Sequence, residues 1–580
     1  MTALQDAPPR RALPWWPLAI GAVALLRLLF LDADPAPSMP DPTIMDEALW
    51  ADSARGALWF PEGWFADDLG NAYLVAPLYT WLLHGIYQLL GIGLWQTRLL
   101  SALASIGTAA LAGAMVRRRH GHGTAALATL LVGVCPLLDQ HGRFALLEST
   151  QSFFLLASFA LLFAARRAAW QAALAGAAMG AAMLVKPNSA TFGALPFALA
   201  WLLEWRADVR AARPGVARAR LCATAACVAG GATVLLGLGL PVWLAHWDAF
   251  TATLQYESGE ANWRLGEHLL RLGVAGAREQ APGVQRLSAL LRHAPLLALG
   301  TWLLLLRRAG GSSLPDWPAS RPLWVWFATG MVVQETSYDH VARRLVLLLP
   351  AMAILCATAF AQRRAAAAAT RPWPALLRWL LLVAPFVLLL KPSLANWLGP
   401  AIAALDPSLA AATACRAGGL LVLLLLALLP MLLRRRDPTG WYRRVRAVAP
   451  LLLAAAAVSE VVRLSALPPN EWTIVAAQQR MRPLVEAGEV VLGDNAAIVL
   501  QTARVRTVRR VIAGARYSSP RPNADVAERL RPRYVLDYKA PALREFADLT
   551  ASGFEVIGEV GLLRETAGMH RFELQLWRRR

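Results

Sequence analysis

The chain has 580 residues, of which 57% are hydrophobic and only 17% charged, with a formal net charge of +20. So apolar a composition places much of the chain in lipid. The positive charge alone would suit a nucleic-acid partner. The arginines, however, fall in short clusters between apolar runs, the pattern of the positive-inside bias, which argues against one. Lysine stands only at Lys186, Lys391 and Lys539, and the five cysteines (Cys135, Cys222, Cys227, Cys356 and Cys415) all lie in apolar runs. That placement supports neither a disulfide framework nor a zinc site.

Arg10 and Arg11 precede an apolar run from Pro14 to Leu31, which predicts a cytoplasmic N-terminus and a first span retained as an anchor. The next stretch, from Met45 to Pro77, reads MDEALWADSARGALWFPEGWFADDLGNAYLVAP. It gathers Asp46, Glu47, Asp52, Glu62, Asp67 and Asp68 on an otherwise basic chain and interleaves them with Trp50, Trp59, Trp64 and Phe65. Acids beside amphipathic aromatics outside a span point either to a reaction site at the membrane surface or to a solvated segment anchored by interfacial tryptophans. PLYTWLLHGIYQLLG, Pro77 to Gly91, is apolar but short of the roughly 20 residues a span needs. It reads as a helix at the interface, because only then do Arg117, Arg118 and Arg119 fall inside.

With that helix left outside, spans alternate at 94–116, 123–138, 148–165, 169–186, 189–204, 219–240, 289–306, 322–335, 343–361, 375–391, 413–433 and 447–464. The expectation is a polytopic α-helical membrane protein of about 13 transmembrane helices, N-terminus in and C-terminus out. Residues 1–464 form the membrane domain, with 32–93 as its first extracytoplasmic loop, and residues 465–580 a small extracytoplasmic α/β domain. In that tail GEVVLGDNAAIVL, RPRYVLDYKA, GFEVIGEVGLL and HRFELQLWRR read as strands, with helices at Thr473–Glu486 and Asn523–Leu530. Asp494–Asn495 reads as a turn, and no glycine-rich phosphate loop is present.

On this topology polar groups converge on the outer face. HGRFALLEST sets Arg143 and Glu148 at a span entrance, where an acid is expensive unless solvated or paired. MLVKPNS sets Lys186 at a span end, as a site cation or a lysine snorkelling to headgroups. A long segment from Pro241 to Ser288 carries Tyr256, Glu257, Glu260, Trp263, Arg264 and His268. SYDHVARRLVLLLP carries Tyr338, Asp339, His340, Arg343 and Arg344, and a double arginine outside runs against the positive-inside bias. Bidentate arginine suits a phosphate, a carboxylate can act as general base, and an apolar groove between helices can house a polyprenyl tail.

TIMDEALWADSAR, the AP of LVAPLYTWLLHGIYQLLG, and WQTRLLSALAS resemble the start of the polyprenyl-phosphate-sugar glycosyltransferases. These are GT-C fold membrane enzymes that include the protein O-mannosyltransferases and the lipid A aminoarabinose transferases. RFALLESTQSFFLLAS, AAMLVKPNSATFGALP and ARRLVLLLPAMAIL follow in the family's order, and the tail resembles the periplasmic domain of the aminoarabinose transferases. The resemblance implies that Asp46 is the catalytic carboxylate, Glu47 its neighbour and Glu148 a second acid. It implies Arg98 near the lipid phosphate and matches Arg343 to the arginine of the family's arginine–tyrosine motif, with Arg344 where tyrosine is common; Arg143 and Lys186 are donor-binding candidates by their position at the outer face. Where the aminoarabinose transferases carry a lysine before the proline matching Pro77, this chain has Ala76, a departure from the lipid A branch.

The implied activity is inverting transfer of a sugar from a polyprenyl-phosphate donor to a lipid, glycan or protein acceptor, at the outer face of a bacterial inner membrane. The resemblance favours action without a metal or other cofactor. The partners are then the donor and membrane lipid, with the acceptor and the sugar open. The rival readings are a transporter or lipid-binding membrane protein without catalysis, and a degenerate relative that only scaffolds other enzymes.

Overall fold

The structure is a computed structural model. It describes residues 15–32, 44–60, 72–164, 168–211, 214–248, 250–251, 294, 297, 300–301, 320–336, 342–361, 474–493, 495–508, 531–539, 549–550, 552–566 and 568–580. The sequence-predicted spans at 375–391, 413–433 and 447–464, most of that at 289–306, and the helix Asn523–Leu530 lie outside the described residues.

The chain enters on α1 (Trp15–Leu28) and continues through α2 (Ile44–Trp59), the short α3 (Ala72–Val75) and α4 (Pro77–Leu90). The acid-rich stretch is therefore largely helical. Pro77 opens α4 at its first turn, where a missing N–H costs nothing, and Gly91 closes it at φ 79°. α5 (Leu94–Gly133) covers two predicted spans, 94–116 and 123–138, with a break at Gly121, whose φ of 78° suits only glycine.

The second of these predicted spans stops early. Pro136 begins a separate helix, α6 (Pro136–Arg143), and a bend of 113° separates it from α7 (Leu147–Ala164). α8 (Ala169–Val185) follows. A π-turn at Ala190–Ala194 then leads into α9 (Leu195–Arg210). α10 (Pro214–Val234) continues through a second π-turn (Leu235–Gly239) into α11 (Leu240–Ala245), so the long polar segment expected from Pro241 starts as helix. α12 (Arg321–Thr336), a 3-10 segment (Ala342–Leu347) and α13 (Leu349–Ala361) complete the described part of the bundle.

Among the described residues, Leu94–Gly133 and Gly215–Ala245 are long and apolar enough to cross a membrane, and the pair α6–α7, bent by 113°, is either a broken span or a re-entrant loop. Trp15–Leu28, Ala169–Val185 and Leu349–Thr358 are shorter apolar helices. The expected count of about 13 is thus only partly within view. Small residues replace hydrophobic drive as the packing device where helices meet in lipid. A Cβ on Gly176 would lie 1.7 Å from the Cys227 carbonyl, and one on Gly230 would lie 2.0 Å from that of Ala173. α8 and α10 therefore touch backbone to backbone. An apolar core around Val23, Leu156, Phe159, Trp326 and Met352 joins α1, α5, α7, α12 and α13.

The C-terminal domain opens with α14 (Ile474–Met481) and a 3-10 turn (Arg482–Leu484). β1 (Val490–Leu492), α15 (Ala496–Val499), β2 (Arg506–Val508), β3 (Tyr534–Tyr538), β4 (Phe554–Thr566) and β5 (Gly568–Arg579) follow. The strand order is β2-β1-β3-β5-β4, with β1 parallel to β2 and β3, and β5 antiparallel to β3 and β4. The strand expected over GEVVLGDNAAIVL is cut at Leu492. Gly493 sits at φ 143°, with its missing Cβ only 2.2 Å from the Leu536 carbonyl, and the chain turns there into α15. Asn495 caps that helix and is buried, while Asp494 lies outside the described residues. β2 went unread in the sequence because its three residues, Arg506–Val508, are too few to show alternation.

Candidate active site

α2, α4, the first turns of α5 and the α6–α7 bend meet in one polar cluster. Glu47 on α2 and Arg98 on α5 form a buried two-point pair, Nε to Oε1 at 2.7 Å and Nη2 to Oε2 at 3.0 Å, with both side chains about 2–3% exposed. Each partner is also tied to backbone. The Ala145 N–H donates to Glu47 Oε1 at 3.0 Å, Arg98 Nη1 donates to the Leu31 carbonyl at 3.1 Å, and the Phe144 ring lies 5.0 Å from the guanidinium. An ion pair removed from water persists only with such supporting hydrogen bonds. Asp46 occupies the position before Glu47 in α2, and its side chain lies outside the described residues.

Glu148 opens α7 and accepts from Lys186 Nζ at 2.6 Å; Lys186 follows the end of α8 and stays 17% exposed against 3% for Glu148. Gln151, one turn on, donates to Asn188 and Ser189 at 2.7 Å each, which fixes the MLVKPNS corner against α7. The 3-10 segment that carries Arg343 and Arg344 leans on the same helix through Ser152, which donates to the Val346 carbonyl at 3.4 Å. Ser152 is four residues from Glu148 and so shares its face of α7. Arg344 is half-buried, while the Arg343 side chain and Tyr338, Asp339 and His340 lie outside the described residues. So do the predicted loop residues Tyr256, Glu257, Glu260, Trp263, Arg264 and His268, and the acids Glu62, Asp67 and Asp68.

Arg143 has a different setting. It donates to the Leu29 and Phe30 carbonyls at 2.6 Å each, and also to that of Leu26, so it caps the C-terminal end of α1. Helix ends leave carbonyls unsatisfied, and a cation there also complements the helix dipole. Nearby Arg27 and Asp139 form a fully buried ion pair, and Arg27 Nε donates to Ser105 Oγ at 2.8 Å. Sequence reading missed this pair, since its partners stand 112 residues apart and only packing brings α1 against α6.

Sequence reading also missed Tyr79. Its phenol, on α4, is fully buried and lies where the charges of Glu47 and Glu148 both reach it. Ser101 stands beside it, but that hydroxyl donates to the Leu146 carbonyl at 2.9 Å. Among the described residues Tyr79 Oη makes no hydrogen bond of good geometry. A buried hydroxyl without a partner costs about 1–3 kcal/mol. The cluster thus presents two carboxylates, two cations and a phenol donor. No set of three His, Cys, Asp or Glu side chains among the described residues is arranged to hold a metal ion.

The described part of the chain has the GT-C membrane fold. The crystal structure of ArnT from Cupriavidus metallidurans in the apo state superposes with a TM-score of 0.57 over 97% of this chain and 97% of that one, at 17% identity. The same protein bound to undecaprenyl phosphate gives 0.57 at 18% identity, over 97% and 98%. An oligosaccharyltransferase from Archaeoglobus fulgidus stands further off, at a TM-score of 0.44 and 12% identity over 91% of this chain and 69% of its own. Within the fold class, residues 75–227 match the family model of dolichyl-phosphate-mannose-protein mannosyltransferases. That stretch contains Tyr79, Arg98, Arg143, Glu148 and Lys186, the greater part of the cluster. Among curated protein sequences none matches the chain.

Proposed function

We propose that the chain transfers a sugar from a polyprenyl-phosphate donor to an acceptor at the extracytoplasmic face of the membrane, with inversion and with Asp46 as the base. The observation that carries this reading is the Glu148–Lys186 pair, a buried acid holding a partly exposed cation at the polar corner of a GT-C fold. A lysine held at one point on a flexible stem, its side chain 17% exposed, can turn to a phosphate. The undecaprenyl phosphate bound to Cupriavidus ArnT is a lipid carrier of the proposed kind.

Asp46 is taken as the base because the family resemblance places it at the catalytic carboxylate. The Glu47 carboxylate is committed to Arg98 and to the Ala145 N–H, so Glu47 serves as a positioning residue that holds α2 against α5. Lys186 and the Arg343–Arg344 segment hold the donor phosphate and stabilise its charge as it leaves. Glu148 orients Lys186, and the Tyr79 phenol donates to a substrate oxygen. Arg98 and Arg143 act on the site through the structure they hold rather than on the phosphate. The sugar, hexose or pentose, and the acceptor class, lipid, glycan or protein, are set by contacts other than these.

The test is transfer from a radiolabelled undecaprenyl-phosphate sugar by the purified full chain. Asp46→Asn should lower transfer by at least 1,000-fold, about 4 kcal/mol of barrier, with the melting curve unchanged. Retained activity would reject the base. A wild-type chain that binds undecaprenyl phosphate but transfers nothing to any acceptor class would favour the lipid-binding reading instead.

A further inference from the structure

The C-terminal domain and the acid-bearing helix share buried polar groups, although about 450 residues of chain separate them. Arg55 lies two turns beyond Glu47 on α2, is 2% exposed, and sends its guanidinium into the C-terminal domain. Nη1 donates to the Leu500 carbonyl at 2.9 Å and to that of Ala503 at 3.3 Å, and Nη2 donates to Thr507 Oγ1 at 2.5 Å. Asp52 holds the guanidinium from the other side, with Nε at 2.9 Å, and accepts from Thr507 Oγ1 at 2.7 Å. Phe60, at the end of the same helical stretch, receives the Arg506 guanidinium 5.1 Å from its ring centre.

A second thread reaches α5. Gln501 Nε2 donates to Thr97 Oγ1 at 2.6 Å, and Thr97 Oγ1 in turn donates to the Gly93 carbonyl at 2.7 Å. With that hydrogen spent, Tyr87 Oη on α4 is the donor in its 2.7 Å bond to the same oxygen. Gln501 itself is buried and is braced by Gln478 of α14 at 3.3 Å. Thr97 immediately precedes Arg98. The 500–507 segment thus grips α2 and the first turn of α5, the two elements that carry the Glu47–Arg98 pair.

We infer that the C-terminal domain is a working part of the transfer site, and that Gln501, Thr97 and Arg55 are positioning residues that keep α2 in register with α5. The inference rests on the transferase reading given above for what is positioned. It assigns the domain a role distinct from recruiting the acceptor. A recruiting domain would need no buried hydrogen bonds into the helices that carry the acids.

The test uses the purified full chain in nanodiscs, with three readouts: undecaprenyl-phosphate binding, amide exchange across Ile44–Trp59, and kcat and acceptor KM where transfer is seen. Gln501→Ala and Thr97→Val are each expected to lower kcat about tenfold with acceptor KM within twofold, and to speed exchange in α2. The double variant should be no worse than Thr97→Val alone, which already removes the Gln501 bond together with those to Tyr87 and Gly93. Thr97→Ser, which keeps the hydroxyl, should restore kcat.

An acceptor KM raised tenfold at unchanged kcat would overturn the inference in favour of recruitment. Additive losses, or loss in Thr97→Ser equal to that in Thr97→Val, would overturn it as well. If the wild type binds the lipid but transfers nothing, the function fails on its own. The positioning claim is then decided by lipid affinity, which should weaken about fivefold in Gln501→Ala with faster α2 exchange; wild-type values for both would overturn it.

Discussion

The two acid–cation pairs of the cluster are built to opposite specifications. Glu47–Arg98 is closed on every side: two parallel hydrogen bonds, a backbone donor on the acid, a backbone acceptor on the guanidinium, and an aromatic face 5.0 Å away. Glu148–Lys186 is joined at 2.6 Å through a compact ammonium on a flexible stem, and its lysine keeps contact with solvent. The first pair has too many simultaneous partners to exchange them in a catalytic cycle. The second can open at the cost of one bond. Charge in the cluster is thus of two kinds, one locked between helices and one joined through a single bond.

Breaking the closed pair should have the largest effect on stability. Glu47→Gln or Arg98→Ala leaves a buried charge or a buried fork unpaired, and loss of one partner of such a pair costs about 3–5 kcal/mol. The expected outcome is low yield and a melting transition far below wild type in detergent. Arg98→Lys should be nearly as damaging, since an ammonium cannot reproduce the fork. A melting curve like that of wild type for either truncation would mean the pair is not a scaffold.

Breaking the open pair should affect activity more than the fold. Lys186→Met should cost about 1–3 kcal/mol of stability, less than loss of the closed pair, because it takes the cation from the buried Glu148 carboxylate. Transfer should fall about a hundredfold, chiefly through a raised donor KM, as read from initial rates at varied donor concentration. Tyr79→Phe comes next, with an expected drop of about tenfold in kcat/KM and a slight gain in stability, because it deletes a buried hydroxyl that lacks a partner.

The smallest effect concerns two exposed acids of the sheet, Glu555 and Glu559. Arg578 beside Glu555, and Lys539 with Gln575 beside Glu559, hold those carboxyls below the usual carboxylate range. Groups with depressed folded values stabilise above the unfolded carboxylate range, and that contribution is lost as pH falls through the folded value. The melting temperature should therefore fall only slightly on going from neutral pH to below pH 4, with salt shrinking the difference.

How much of this could be read in advance varied with the kind of signal. Apolar period and arginine placement revealed α7, α8 and α12 nearly to the residue, because lipid imposes length and charge rules that act locally. The break at Pro136 blurred a predicted span, since a proline within an apolar run can kink a helix or start a new one. Glu148 and Lys186 stood out as charges at span ends. Their partnership did not, because it depends on how α7 and the α8 corner pack. Glu47, Arg98 and Arg143 were legible as site residues, but their partners in the fold were not: Glu47 and Arg98 pair with each other, and Arg143 meets the carbonyls at the end of α1. Tyr79, Arg55 and Gln501 were silent in the sequence, where a tyrosine in an apolar helix or a glutamine in a turn carries no mark.

The most direct test compares Arg98→Lys with Lys186→Met in the same purified preparation, measuring melting temperature and undecaprenyl-phosphate affinity together. The expected result is a crossed pattern: Arg98→Lys loses stability by several kcal/mol. Lys186→Met loses less stability than Arg98→Lys and binds the lipid at least tenfold more weakly. If Lys186→Met instead binds as wild type while Arg98→Lys folds normally and loses binding, the assignment of the two pairs is reversed and the account fails.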